Sequence, residues 1–200
     1  MRIGVDFDNT LVSYDHAFAT VGKDVGLLPA DFTGGKGAAK RRLCGEESST
    51  PAWERLQGLV YGRYIDRAEL YAGAAEFLQQ CRQRGWQIYI VSHKTILANY
   101  DPQTNLHDSA RGWMTRRGFF DQRRLGLDAA QVFFEETREA KVRRIGELNC
   151  DIFIDDLPEV FRHADMPSGC RKILFCTEHA GPFECAANWT EVSAAVFKRS

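Results

Sequence analysis

The stretch that decides the fold is Ile3-Gly4-Val5-Asp6-Phe7-Asp8-Asn9-Thr10-Leu11. Its first residues are apolar without alternation, which is typical of a strand buried on both faces of a parallel sheet. Two carboxylates, Asp6 and Asp8, follow where the strand ends. Carboxylates this close repel each other, and a divalent cation removes that conflict; an all-oxygen site suits Mg²⁺. The stretch therefore predicts a strand leading into an acidic, metal-binding loop, the alternative being a plain acidic strand end with a helix cap at Thr10.

Four further apolar runs of the same kind predict four more strands, which makes about five in all. They cover residues 86–91, 131–134, 151–154 and 172–176. Helical patterns lie among them, at residues 72–83, 109–118, 138–148 and 189–198. Strands that alternate with helices indicate an α/β protein built on a parallel sheet.

Residues 13–70 do not fit this alternation and predict a mostly helical insertion. The core domain is then formed by residues 1–12 and 71–200. Within the insertion, Gly34-Gly35-Lys36-Gly37 lacks the spacing of a phosphate-binding loop, and no strand leads into it. We interpret residues 33–42 as a flexible connector that carries a solvated basic run.

Composition limits the partners. The 200 residues hold 26 Lys and Arg against 27 Asp and Glu, which argues against general attraction to nucleic-acid polymers or anionic membranes. No stretch approaches the roughly 20 apolar residues of a membrane span, and the N-terminal residues do not form a signal peptide. The six cysteines form no C-x-x-C pair, so we expect reduced thiols and a cytoplasmic protein. The sequence leaves open whether two copies form a homodimer.

Polar residues at the other strand ends point to one site. Ser92 follows the second predicted strand, at residues 86–91. Lys141 lies in the first turns of the helix after the third, at residues 131–134, and Asp155-Asp156 ends the fourth. Each has an ordinary structural explanation by itself, such as a helix cap or a turn. Because ligands bind beyond the carboxyl ends of parallel strands, the chain order of all three predicts that they converge with Asp6.

These residues resemble the motifs of the haloacid dehalogenase-like (HAD) hydrolase superfamily. Residues 3–11 look like motif I, residues 90–92 like motif II, Lys141 like motif III and residues 153–156 like motif IV. The resemblance implies a Rossmann-like three-layer sandwich and a Mg²⁺-dependent phosphatase. The insertion then resembles a small cap of the C1 type.

The resemblance also implies roles for single residues. Asp6 would attack phosphorus to form an aspartyl-phosphate, and Asp8 would protonate the leaving alcohol and then activate water. Ser92 and Lys141 would hold the phosphoryl oxygens, together with the amide of Phe7. An aspartate at position 8 argues against dehalogenation, which needs no acid for its leaving group.

The metal would be held by Asp6, by the backbone carbonyl of Asp8 and by Asp156 with help from Asp155. Which of the two neighbouring aspartates touches the metal directly is left open. His93 follows motif II and is a further candidate for phosphate binding, with a structural role as the alternative.

We expect the substrate to be a small phosphorylated metabolite, either a sugar or polyol phosphate or a nucleotide. A 5′-nucleotidase is one alternative within that class. A phosphotransferase or phosphomutase is another, since it would form the same aspartyl-phosphate but exclude water. A non-catalytic module that binds a phosphorylated ligand is disfavoured, because such a module has no chemical need for Asp8.

Overall fold

The computed structural model describes residues 1–177 and 181–198. Its strands are β1 (Arg2–Val5), β2 (Val12–Ser13), β3 (Glu69–Leu70), β4 (Gln87–His93), β5 (Val132–Glu135), β6 (Ile152–Asp155), β7 (Arg171–Phe175) and β8 (Glu184–Ala186). Its α-helices are α1 (Asp15–Asp24), α2 (Lys36–Cys44), α3 (Pro51–Tyr61), α4 (Ala74–Gln83), α5 (Leu106–Arg116), α6 (Arg138–Glu147), α7 (Pro158–Phe161) and α8 (Trp189–Phe197). Short 3₁₀ helices span Ile65–Arg67 and Ala129–Gln131. Among these described helices, none is long and apolar enough to cross a membrane.

The chain forms two compact units. The first contains Met1–Val12, Leu70–Lys94 and the described part of Gly118–Ser200, and the second contains Ser13–Glu69 and Thr95–Arg117. The two-residue strands β2 and β3 pair with each other where the chain passes from one unit to the other.

The first unit is built on a six-stranded sheet in the order β5-β4-β1-β6-β7-β8. All neighbouring strands in it run parallel. The chain moves outward from β1 through β4 to β5, and then returns to place β6 on the other side of β1. The strand order therefore reverses between β1 and β6, and ligands of open α/β sheets bind at such a point.

Helices cover both faces of this sheet. On one face Trp189 of α8 packs against Phe77 of α4 and Phe175 of β7, with ring centroids 4.9 and 5.7 Å away. On the other face Val142 of α6 joins a buried cluster with Phe153 of β6. Because successive strand residues point to opposite faces, short apolar strands supply both layers of core. The predicted three-layer α/β sandwich is confirmed.

The predicted strands are all present, but the sheet has one strand more than expected. The additional strand is β8, in which only Ala186 is buried and whose three residues give no apolar run. The four predicted helices also form, within a few residues of their expected bounds, although α5 belongs to the second unit and not to the sandwich. Gly85 ends the turn after α4 at a φ of +68°, a left-handed conformation that favours glycine.

The second unit contains more of the chain than the insertion predicted from the sequence. Residues 95–117 group with residues 13–69, although we had expected them in the core domain. One reason is Trp113 of α5, which is fully buried and donates from Nε1 to the carbonyl oxygen of Ala68, 3.3 Å away. Another is close packing, because a Cβ on Gly58 of α3 would lie 3.2 Å from the side chain of Ala98.

The second unit has an aromatic core and a helix that the sequence did not predict. Phe18 of α1 stacks on Trp53 of α3 at 5.1 Å, while Tyr14 packs edge-on against Tyr61. The basic run assigned to a flexible connector instead lies mostly in α2. This helix begins after Gly35, where the Asp15 side chain accepts a hydrogen bond from the Lys36 amide at 2.7 Å.

The first prediction concerns Gly4 in the middle of β1. A Cβ there would lie 2.4 Å from the ring of Phe153, which faces Gly4 across the β1–β6 ladder. We expect Gly4→Ala to lower the free energy of unfolding by about 1–3 kcal/mol, because a packed core resists added volume. Urea denaturation measures the change. Gly169→Ala is the control, since Gly169 is exposed with open space around its Cβ position; equal stability of the two variants would contradict the prediction.

Candidate active site

Asp6 lies at the carboxyl end of β1, next to the point where the strand order reverses. Its amide donates to the carbonyl oxygen of Ile154 at 2.9 Å, which fixes the backbone against β6. Its side chain is buried, and Oδ1 accepts hydrogen bonds from Ser92 Oγ at 2.8 Å and from Lys141 Nζ at 2.7 Å. The structure thus brings together the three residues predicted from motifs I, II and III.

Lys141 connects the ends of the two central strands. It projects from the first turns of α6, whose N-terminus is capped by the Thr137 hydroxyl. The side chain is 1% exposed, and Nζ lies 2.7 Å from Asp6 Oδ1 and 2.6 Å from Asp155 Oδ2. Burial alone would lower the pKa of Lys141, but the carboxylates of Asp155 and Asp6 outweigh it and raise this pKa above its usual value. The ammonium therefore stays protonated.

Asp155 is fully buried at the end of β6. Its Oδ1 accepts from the amide of Leu157 at 3.0 Å. Its Oδ2 lies 2.6 Å from Lys141 Nζ in a buried ion pair. Burial raises the pKa of Asp155 to about 6, with Lys141 acting in the opposite direction and Asp6 adding to the rise. Asp155 therefore depends on positive charge close to it.

Asp156 is half-buried and is held by Thr10 of the motif I stretch. The Asp156 amide donates to Thr10 Oγ1 at 3.1 Å, and the same hydroxyl lies 3.5 Å from Asp156 Oδ1. Thr10 is completely buried. Its hydroxyl therefore links the loops after β1 and β6, and the helix-cap explanation of Thr10 does not apply.

Asp6, Asp155 and Asp156 fit a divalent cation. Each offers one carboxylate oxygen, and these oxygens lie within 4.8 Å of one another. Three carboxylates this close repel one another, and the ammonium of Lys141 carries only one positive charge against Asp6 and Asp155, so the cluster favours a further cation. Both motif IV aspartates belong to the cluster, so the geometry is compatible with either as a ligand.

Asp8 is placed next to this cluster but is paired differently. Its Oδ2 lies 2.7 Å from Nζ of Lys94, whose side chain is 3% exposed. The next residue, Asn9, has a φ of +62°, a conformation that asparagine tolerates. The metal contact predicted for Asp8 was through its backbone carbonyl, and it stays a prediction.

Phe7 and His93 are the remaining predicted site residues. Phe7 is buried, with its ring packed edge-on against Phe134 at 5.7 Å, and its carbonyl oxygen accepts from the amides of Leu11 and Val12. His93 is exposed, and its Nε2 lies 3.0 Å from the carbonyl oxygen of Glu136. Phosphate binding by either residue stays a prediction.

Sequence reasoning missed two contacts, those of Lys94 with Asp8 and of Thr10 with Asp156. The sequence did hold a signal for the Lys94 contact. Side chains two residues apart in an extended segment share a face, and Lys94 follows Ser92 by two residues, so both belong on the same face. The Thr10 contact joins residues 146 positions apart and gives no local signal.

A cavity of about 380 Å³ adjoins Asp156. Its lining residues are Asn9, Tyr71, Asp156, Phe175, Cys176, Thr177 and Ala187. The wall is aromatic where Tyr71 packs edge-on against Phe175 at 5.1 Å. A small organic group could therefore be accommodated beside the carboxylate cluster.

Solved structures share this fold. A HAD family hydrolase from Deinococcus radiodurans R1, determined with bound phosphate and sodium, has a TM-score of 0.58 and 14% identity over 98% of this chain and 95% of its own. A phosphoserine phosphohydrolase-like protein from Francisella tularensis has a TM-score of 0.52 and 14% identity, covering 98% of this chain and 99% of its own. Protein Tyrosine Kinase A of Mycobacterium tuberculosis has a TM-score of 0.62 and 15% identity, covering 97% and 96%. The chain has the HAD-like fold. No protein-family model and no curated protein matches the sequence.

The second prediction tests the Thr10 contact in this HAD-like site. We expect Thr10→Val to weaken binding of a divalent cation about 10-fold, because Asp156 loses the hydroxyl that orients it. Isothermal titration with Mg²⁺, and separately with Mn²⁺, measures the affinity. Thr115→Val is the matched control, since its hydroxyl only bonds a helix carbonyl of Arg111. Equal affinities for the two variants would contradict a role for Thr10 at the cation.

Proposed function

We propose that this chain is a Mg²⁺-dependent phosphatase that hydrolyses a small phosphomonoester through an aspartyl-phosphate. The observation that carries the proposal is the environment of Asp6. One oxygen of this buried carboxylate, Oδ1, is held by both Ser92 and Lys141, and Oδ2 is the oxygen that we propose attacks. A fixed carboxylate with one oxygen available to attack is what nucleophilic catalysis requires.

The proposed reaction has two steps with Asp6 as nucleophile. In the first, Oδ2 of Asp6 attacks phosphorus, the bond from phosphorus to the ester oxygen breaks, and Asp8 gives its proton to the departing alkoxide. In the second, Asp8 takes a proton from water, whose oxygen attacks phosphorus. The bond to Asp6 then breaks, which restores the carboxylate and releases inorganic phosphate.

Ser92 and Lys141 are proposed to hold the transferring phosphoryl oxygens. Both donors meet at Asp6 Oδ1, so a phosphoryl group bound to Asp6 would lie within reach of them. Lys141 keeps its charge because the neighbouring carboxylates raise its pKa. Donors fixed before the reaction stabilise developing charge without reorganising.

Asp6, Asp155 and Asp156 are proposed to hold Mg²⁺. An all-carboxylate set with few protein ligands suits this ion, which retains several waters. When bound, the ion would offset negative charge on the phosphoryl oxygens. The close approach of three carboxylates, two of which share the single charge of Lys141, supports this assignment.

The proposed substrates are sugar or polyol phosphates and nucleotides. The size of the cavity beside Asp156 favours a small organic group. The names of two similar structures, a HAD family hydrolase with bound phosphate and a phosphoserine phosphohydrolase-like protein, accord with a phosphatase. A 5′-nucleotidase is the narrower form of the same proposal.

The second candidate is transfer of the phosphoryl group to an acceptor other than water. The HAD-like structure named as a protein tyrosine kinase favours keeping this candidate, because it associates the fold with phosphoryl transfer. The first step would be identical. The two candidates differ only in whether water alone discharges the phosphorylated Asp6.

The third prediction is the activity itself. We expect phosphate release from p-nitrophenyl phosphate and from at least one member of a panel of sugar phosphates, polyol phosphates and nucleoside monophosphates. Release should require Mg²⁺ and cease when EDTA removes it. A single preferred panel member identifies the substrate class. No phosphate release from any compound, with Mg²⁺ bound, would contradict hydrolysis and favour transfer to a specific acceptor.

The fourth prediction concerns the nucleophile. We expect Asp6→Asn to lower kcat by at least about 10³-fold, because an amide cannot attack phosphorus, while urea denaturation shows a folded protein. Asp165→Asn is the control, an exposed aspartate of the same unit. Acid-quenched protein incubated with ³²P-labelled substrate should retain label in the wild type and lose it in Asp6→Asn. Undiminished turnover in Asp6→Asn would rule out the aspartyl-phosphate.

A further inference from the structure

Lys94 is a buried lysine that the proposed two-step reaction does not use. Its main-chain amide donates to the carbonyl oxygen of Glu135 at 2.8 Å, which extends the β4–β5 ladder by one residue and fixes the backbone. Its side chain is 3% exposed, and Nζ lies 2.7 Å from Asp8 Oδ2 and 6.0 Å from the centroid of the Phe7 ring. Burial of an ammonium is costly unless it is paired, so this position depends on Asp8.

The two buried lysines of the first unit are paired with different aspartates. Lys141 contacts Asp6 and Asp155, the proposed nucleophile and a proposed cation ligand. Lys94 contacts Asp8, the proposed acid and base. Asp8 is 17% exposed at its side chain, and a carboxylate at such a loop position can rotate unless a partner fixes it.

We propose that Lys94 is a positioning residue that holds the Asp8 carboxylate for proton exchange with the ester oxygen of the substrate. One oxygen of a carboxylate can accept a donor while the other carries the proton. The contact to Oδ2 therefore restrains the side chain without preventing proton transfer. This inference rests on the proposed phosphatase activity and adds the residue that makes Asp8 effective.

A positioning role and a purely structural counter-charge lead to different kinetics. If Lys94 positions Asp8, its loss slows the release of leaving groups that need a proton and spares those that depart as stable anions. Phenolate is the first kind, and p-nitrophenolate is closer to the second. If Lys94 only stabilises the fold, both reactions fall by the same factor.

The experiment compares phenyl phosphate with p-nitrophenyl phosphate in single turnovers with Mg²⁺, which isolates formation of the phosphorylated enzyme. Glycerol 2-phosphate and acetyl phosphate give the same comparison with small substrates. We expect Lys94→Met to lose about 10-fold more rate on the poorer leaving group of each pair, and Asp8→Asn to show the same bias. Lys94→Arg should return the ratio of the two rates most of the way to the wild-type value, because it keeps a cationic donor.

Controls separate this inference from folding and from the proposed function. A ratio of two rates measured on one sample does not depend on the fraction of folded protein; Lys94→Gln supplies the ratio if Lys94→Met is insoluble. Lys172→Met is the matched control, because Lys172 lies on β7 and its Nζ donates to the carbonyl oxygen of Phe161 at 3.4 Å. Its ratio should equal that of the wild type. Equal losses on both leaving groups, or no loss, overturn the positioning role while the phosphatase stands. Wild-type protein that releases none of the leaving groups overturns both.

Discussion

The ion pair between Lys141 and the aspartates at the ends of β1 and β6 is the constraint on which the site depends. Asp6 and Asp155 are both buried and both acidic, and they lie on neighbouring strands of the sheet. Without an intervening cation, their repulsion and desolvation would favour protonation or separation of the strand ends. Lys141 supplies that cation from α6. Lys141 therefore couples the start of α6 to the register of the central strands and to the position of Asp6.

Lys141 leaves the site with an excess of negative charge. Asp6 and Asp155 share the ammonium of Lys141, Asp156 completes the carboxylate cluster, and Asp8 pairs with Lys94. Burial raises the pKa of Asp155 to about 6, and the nearby carboxylate of Asp6 adds to the rise. A divalent cation would lower this pKa again. The excess of negative charge destabilises the protein alone. It would therefore contribute to cation affinity, because binding of the cation offsets it.

The sequence predicted the carboxyl ends of the strands better than it predicted the contacts between loops. A parallel sheet brings the ends of its strands to one edge, so Asp6, Ser92 and Asp155 could be placed from apolar runs and chain order alone. The assignment of residues 95–117 to the second unit follows from the burial of Trp113 and the packing around Gly58, which no local pattern encodes. Strand β8 was missed for a related reason, since it is short and pairs only with β7 at one edge of the sheet.

The two lysines are paired with different aspartates, so the proposed acid and base can change without a change at the proposed nucleophile. Lys141 is coupled to the core through Asp6 and Asp155, and its loss would expose two buried carboxylates to repulsion. Lys94 is coupled to Asp8 and lies at the last residue of the first unit before Thr95. A change at position 94 would therefore alter the proposed proton transfer while the contacts of Lys141 with Asp6 and Asp155 persist. Similar structures with only 12–15% identity show that this fold tolerates wide divergence in sequence. Position 94 is then a place where the proposed proton transfer can change without rebuilding the sheet.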